Sequence, residues 1–468
     1  MARSWAARFV TAALLLFLPL AQATPAAAQL APVTPIHGAR AVEVGLGFLL
    51  DRYAQALDPL PLLQAAWDGV AEAATLGGEP VKAQVKAVGA APMQGDRVAA
   101  WDEFQRRFEA LISAGADPDT LAQAANRAMT RSLDDCHTRF APSYDKELVS
   151  YDGGERYGGI GASALDAARF DPRPPGPVII GLVDGGPAAT AGVLLGDAVT
   201  GVDDVDVTGW PNNRVVELVR GEPGTTVHLR VDRLGEPAPF VIPVERAEIQ
   251  TTLLESRLVE DDVAGPVGYL QLKSFVRSVE PELPKAIDGL HEQGARGWVL
   301  DLRNNGGGSV PTFAAVASLF IKEGTLGVTT DRNGSETFIS TLRPAANAQT
   351  ERTDFTEPLA VLVNSLSASA SELLAADLQE YGVARVFGET TAGCFGNSQL
   401  FRLPDGSAMW ITVRALQSGL ARRDVHKLGV TPDELVPRSR ADLAGGRDPQ
   451  LEAALQWLGM VEQLASNN

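Results

Sequence analysis

The chain of 468 residues has little cysteine and little histidine: two of the first, Cys136 and Cys394, and five of the second. His37, His228, His291 and His426 fall at no metal-ligand spacing, and no HExxH occurs, so no metal site is expected. A phosphate loop of the GxxxxGK type is also missing, and no cofactor is expected. Positive charge is in deficit: 40 bases against 58 acids leave a net charge of −18. That balance argues against nucleic acid and against anionic membrane surfaces as partners. No internal repeat is visible. Beyond the N-terminus no apolar run approaches the roughly 20 residues that cross a bilayer.

The N-terminus itself is different. MARSWAARF carries Arg3 and Arg8 and no acid, an apolar run from Phe9 to Leu20 follows, and AQATPAAAQ offers small residues at cleavage spacing after Ala23 or Ala28. This three-part layout is that of a secretory signal over 1–28. The expectation is an exported chain, periplasmic or extracellular, that is soluble once the signal is removed. In such a compartment the two cysteines have one possible internal pairing.

Residues 29–150 space apolar residues three and four apart, as in LLQAAWDGVAEAA and WDEFQRRFEALISAGA, which predicts helices. Asp117, Pro118 and Asp119 open another, and the region ends in SLDDCHTRF. Over 155–248 the pattern becomes short β-rich runs (VIIGLV, VHLRVDRL, FVIPVERA) between glycine-rich turns. YGGIG, GPAATAGVLLGD and RGEPGTTVHLRV stand there in the order found in a PDZ domain, which this segment resembles. In that resemblance Gly158, Gly159, Ile160 and Gly161 form a backbone nest for a peptide carboxylate, beside a strand edge that accepts the peptide as an extra strand. From 250 to 440 strands and helices alternate, implying crossovers on a largely buried sheet. Residues 441–468 close the chain with an amphipathic helix.

Two stretches in the 250–440 segment have the makings of chemistry. In LAVLVNSLSASASELLAADLQ a buried strand ends near Asn364 and a helix starts near Ala370. Any of Ser365, Ser367, Ser369 and Ser371 has an ordinary explanation as a helix cap. A hydroxyl there is also well placed for nucleophilic attack, because free N–H groups at the helix start stabilise a nascent oxyanion. DLRNNGGGSV puts three glycines between a strand and a helix. That loop is either a flexible turn or a second source of N–H donors.

Taken in order, DLRNNGGGSV, VLVNSLSASASELLAADLQEYGVARVFGETTAG and LGVTPDELVP resemble the C-terminal (tail-specific) processing proteases of serine peptidase family S41. Gly306 stands where that family's loop has proline. The resemblance implies an α/β multidomain chain: a helical N-terminal region, a PDZ domain and a ClpP/crotonase-like α/β catalytic domain. It implies a serine endopeptidase acting on proteins or peptides with free C-terminal tails. Ser369 would be the nucleophile, and the N–H of Ala370 with that of Gly307 or Gly308 would form the oxyanion hole.

The resemblance breaks at the general base. The processing proteases carry a lysine 25 residues after the serine; here that position is Cys394. A neutral thiol is a poor base for a hydroxyl. Four readings stay open. His137, in the segment before the PDZ-like region, replaces the lysine, as in other branches of the family. A Cys136–Cys394 disulfide fixes His137 near Ser369. Lys427 reaches in from elsewhere. Or the chain is an inactive relative that only binds peptide tails. A thiol hydrolase using Cys394 is a weaker alternative. Glu372 and Glu389 read as helix-end or solvated carboxylates.

Overall fold

The computed structural model of the protein describes residues 38–466, apart from 90, 154–155, 251 and 343–354. The expected signal segment, 1–28, lies outside these residues.

The N-terminal helices start where the sequence supplies caps. Asp58, Asp96 and Asp117 accept from the N–H groups of Leu60, Ala99 and Thr120, opening helices Pro59–Ala74, Arg97–Ser113 and Pro118–Arg131. Pro59 and Pro118 take the first helical position, where a missing N–H costs nothing. The helices bury Leu46, Trp67, Phe104, Phe108 and Met129 together with Phe140, Met409 and Ile411 from an antiparallel sheet of the catalytic region. The bundle and that sheet share one core. In the sheet, the short strand Arg139–Ala141 lies along Ala408–Gln417, with Arg139 opposite Trp410. This pairing carries residues 135–138 from the N-terminal region to the 250–440 region.

A second sheet has the strand order Leu254–Asp261, Gly265–Leu272, Gly297–Asp301, Leu359–Val363, Ala384–Gly388, Glu434–Leu435. All its pairings are parallel except the first. Residues of its central strands alternate between two cores. Leu300, Val361 and Val363 face helices Val279–Glu292, Val310–Phe320 and Ala370–Glu380. Val299, Ala360 and Leu362 face Ala454 and Leu458 of the terminal helix Pro449–Ser466. Burial on both faces explains the unbroken apolar run LAVLV.

The PDZ-like region forms a third sheet, in which Ala162–Leu165, Val178–Leu182, Ala198–Val202, Thr226–Asp232 and Phe240–Glu245 are neighbours in that order. Its own core holds Ile160, Val199, Leu229 and Val244. On its outer side Leu443 joins Leu165, Phe170, Val178 and Ile180. Arg440 donates to the carbonyls of Gly196 and Asp232 and forms an ion pair with Asp232. These contacts come from the short helix Arg440–Ala444, which precedes the terminal helix.

Candidate active site

Strand Leu359–Val363 leads into a turn, and helix Ala370–Glu380 leaves it at Ser369. Ser369 has φ 56°, left-handed territory that a residue with a Cβ occupies only when its surroundings enforce it. Those surroundings are visible. Its N–H donates to Cys394 O and to Glu372 Oε2, both at 2.9 Å. Its neighbours are committed to structure: Ser367 Oγ donates to Leu302 O and Ser371 Oγ to Asn305 O, each at 2.8 Å. Ser365, Ser367 and Ser371 are buried, while Ser369 is half-buried. Of the four serines of the turn, Ser369 alone presents itself to incoming molecules.

The glycine loop lies directly against it. A Cβ on Gly307, which has φ 97°, would stand 2.7 Å from Ser369 Cβ and 2.9 Å from Ala370 N, so only glycine fits. The loop is held from beneath by Asn305, which is fully buried. Asn305 Nδ2 donates to Leu272 O, and Gly307 N–H donates to Asn305 Oδ1. Of the two alternatives, Gly307's N–H is already spent on Asn305, which leaves that of exposed Gly308. Asp301 and Arg303 of the same motif make a buried ion pair, which Tyr269, Asp448 and Gln450 complete by hydrogen bonding. Asn304 and Asn364 exchange hydrogen bonds and tie the loop to the serine turn.

Glu372 is neither solvated nor a simple helix-end carboxylate. It is fully buried and accepts from four donors: Thr391 Oγ1 and the N–H groups of Ser369, Gly393 and Cys394. Burial pushes its carboxyl above the usual range, while the four donors pull the other way. One side chain therefore fixes the serine turn to the strand-end segment that carries Cys394.

Cys394 is joined to Cys136, with a Cα–Cα distance of 5.8 Å, inside the range for a disulfide. A sulfur in that bond has no thiolate, which sets Cys394 aside as base or nucleophile in this state. His137 stands beside the bridge, its Nδ1 3.4 Å from Cys394 Sγ and 3.5 Å from Cys136 Sγ. No hydrogen bond joins its ring to Ser369 Oγ among the described residues. Burial depresses the His137 pKa; Asp135 opposes this, and His426 and Arg139 reinforce it. Asp135, which the sequence reading left out, accepts from the His137 N–H and from Thr138 Oγ1. Burial would raise its carboxyl, but hydrogen bonds from Thr138, Thr412 and His137 bring it down. Lys427 lies on the surface instead, its ammonium 2.9 Å from Asp134.

The peptide-loop residues separate. Gly158 and Gly159 belong to a strand, Arg156–Gly159, paired with Ala247–Gln250, and Ile160 is buried in the PDZ-like core. The expectation of one nest over all four residues is thereby corrected: ladder pairing uses the first two. Gly161, with φ 69°, does open onto a cavity of about 930 Å³, together with Ala162 and Ser163. The far wall of that cavity includes Lys273, Arg303, Asn304 and Asn364. The cavity thus runs from the PDZ-like sheet to the asparagine pair that braces the serine turn.

The family model described as peptidase family S41 matches residues 266–436, and that described as PDZ domain matches 150–232. The chain is 34% identical over 341 residues to carboxyl-terminal-processing peptidase 2, chloroplastic, of Arabidopsis thaliana, covering 72% of this chain and 64% of that one. It is 30% identical over 341 residues to carboxy-terminal processing protease CtpA of Bacillus subtilis strain 168, covering 71% and 68%. Against the first of these it spans less than two thirds of the relative's length. The solved structure of a photosystem II D1 C-terminal processing protease superposes with a TM-score of 0.55 at 25% identity, covering 90% of this chain and 97% of that one.

Proposed function

Since this chain belongs to peptidase family S41, with the carboxyl-terminal processing peptidases among its relatives, we propose that it is an exported serine endopeptidase acting on proteins with free C-terminal tails. The observation that carries this reading is Ser369, held at positive φ at a helix start, with Gly307 packed against it. Ser369 also caps the helix in a capping box with Glu372, but a cap alone does not need the positive φ that an enforced nucleophile adopts.

Attack by Ser369 Oγ on a scissile carbonyl forms a C–O bond and a tetrahedral oxyanion, which the N–H groups of Ala370 and Gly308 stabilise. His137 takes the hydroxyl proton and returns it to the leaving amine as the C–N bond breaks. A water molecule, activated by the same imidazole, then hydrolyses the acyl-enzyme and restores Ser369. Burial keeps His137 neutral, the form that accepts a proton. The tail of the substrate enters along the edge of strand Ala162–Leu165 and passes through the cavity that Gly161 and Asn364 line.

A second reading, a peptide-binding protein without catalysis, is favoured by the missing hydrogen bond between Ser369 and His137. Contacts of this kind commonly tighten only when substrate binds. The two readings separate on one experiment: cleavage of an unfolded protein with an apolar C-terminal tail, by the chain and by its Ser369→Ala variant. Cleavage by the first, reduced by roughly 10⁴ or more in the second, supports the peptidase. Retention of the tail peptide without cleavage by either protein supports the binder.

A further inference from the structure

Both sulfur atoms of the chain's cysteines lie against one imidazole. Cys136 Sγ, Cys394 Sγ and a ring nitrogen of His137 all lie within 4.8 Å of one another. A crosslink that fastens the histidine segment needs the bond between the sulfurs, but not their contact with the ring nitrogen.

The separations have a chemical meaning. Around a tetrahedral zinc ion, thiolates at about 2.3 Å and an imidazole nitrogen at about 2.0 Å put sulfur and nitrogen about 3.5 Å apart. The two S···Nδ1 distances here are 3.4 and 3.5 Å. Two separations differ between this disulfide and a zinc site: the sulfurs of a zinc pair stand about 3.8 Å apart, and Cys394 Sγ, here 3.8 Å from His137 Nε2, lies about 5 Å from it when zinc sits on the Nδ1 lone pair, so the imidazole turns as the bridge opens. Side-chain rotation on Cα atoms 5.8 Å apart provides that opening. Cys136 is exposed, with Cys394 and His137 half-buried behind it, so a reductant or an ion reaches the group from solvent.

We propose that the thiol form of this chain binds Zn²⁺ through Cys136, His137 and Cys394, leaving a fourth position for water. Two thiolates and an imidazole make a soft donor set that suits zinc and not magnesium or calcium. A dithiol supplies the two electrons. Its thiolate attacks Cys136 Sγ, the Cys136–Cys394 bond breaks, and Cys394 departs as a thiolate. The second thiol of the reductant then closes its own disulfide and frees Cys136. Zn²⁺ takes the place of the two thiol protons, which pass to solvent. A newly made chain whose cysteines have not yet been joined is the same species without the exchange step. The metal occupies His137 Nδ1, so the loaded form has no free base; this last consequence alone rests on the reading of His137 given above.

The test uses Co²⁺ as a coloured stand-in for zinc and does not depend on proteolysis. The chain is reduced with a phosphine, freed of metal and titrated. One equivalent of Co²⁺ should give a thiolate-to-metal charge-transfer band that Zn²⁺ abolishes. The oxidised chain should give none, and reduced Cys394→Ser should bind about tenfold more weakly or worse. A reduced chain that keeps its native circular dichroism yet gives no such band overturns the proposal, as does equal affinity in Cys394→Ser. Where reduction loosens the fold, added Zn²⁺ should restore the native spectrum in the parent but not in His137→Ala. Failure to restore it, or restoration in both, overturns the proposal as well.

Discussion

Ser369 and His137 both reach Cys394, one at its carbonyl and one at its sulfur, by opposite means. The serine turn is built locally: a buried strand, a helix start and the buried Glu372 carboxylate hold it, and Glu372 binds four donors from nearby segments. The histidine is imported from far upstream. It arrives just ahead of a three-residue strand laid against Ala408–Gln417, and a crosslink at the adjacent Cys136, spanning 258 positions, fastens it. The first arrangement is redundant. The second depends on one covalent bond and on the small hydrogen-bonded group of Asp135, Thr138 and Thr412. On the roles proposed above, a nucleophile at a strained φ needs many small restraints, whereas a base needs only to be brought within reach.

The contrast can be broken at either end. The largest effect is expected from His137→Ala, which should lower kcat/KM by roughly 10²–10⁴ with the thermal midpoint nearly unchanged; an undiminished rate would assign the proton to another group. Glu372→Ala comes next. It strands the N–H groups of Gly393 and Cys394 and the Thr391 hydroxyl, while the Ser369 N–H keeps the Cys394 carbonyl, for a loss of about 4 kcal/mol in urea unfolding; a loss under about 1 kcal/mol would show that the turn stands without its hub. Cys136→Ser should cost about 3 kcal/mol. It should lower turnover while leaving Ser369 open to a serine-directed reagent, and equal loss of labelling would deny that the two arms are independent. The smallest effect is in pH. Because burial depresses the His137 pKa, the neutral imidazole persists below the ordinary midpoint of about 6.5. kcat/KM should therefore hold through neutrality and fall only in more acidic solution. Any stability gained from the neutral ring is likewise present above the ordinary value and lost as pH falls through the depressed one. A midpoint above about 6.5 would contradict this.

The same contrast explains what the sequence revealed. LAVLVNSLSASAS is legible because its meaning is local: an apolar run, small residues and a helix start within a dozen positions. DLRNNGGG is legible for the same reason. His137 is not, since its importance follows from a strand pairing some 270 positions away; only the family resemblance singled it out. Glu372 looked like an ordinary first-turn acid because nothing beside it in sequence announces Thr391, Gly393 and Cys394 as partners. Asn305 hid its grip on Gly307 in the same way, so the choice between Gly307 and Gly308 stayed open until the asparagine was seen to hold the first. The strands Thr325–Asp331 and Glu336–Ser340 escaped because the second keeps its side chains largely in water and so reads as loop. YGGIG misled in the opposite sense: glycines that looked like a nest are half strand.

Helix Arg440–Ala444 follows the last strand of the parallel sheet, yet it grips the PDZ-like sheet more than two hundred positions upstream. In mechanical terms it is a clasp. For the inserted sheet to swing away from the catalytic region, Leu443 must leave its apolar seat and Arg440 must release the Gly196 and Asp232 carbonyls. A segment made late thus fastens a sheet that was made long before it.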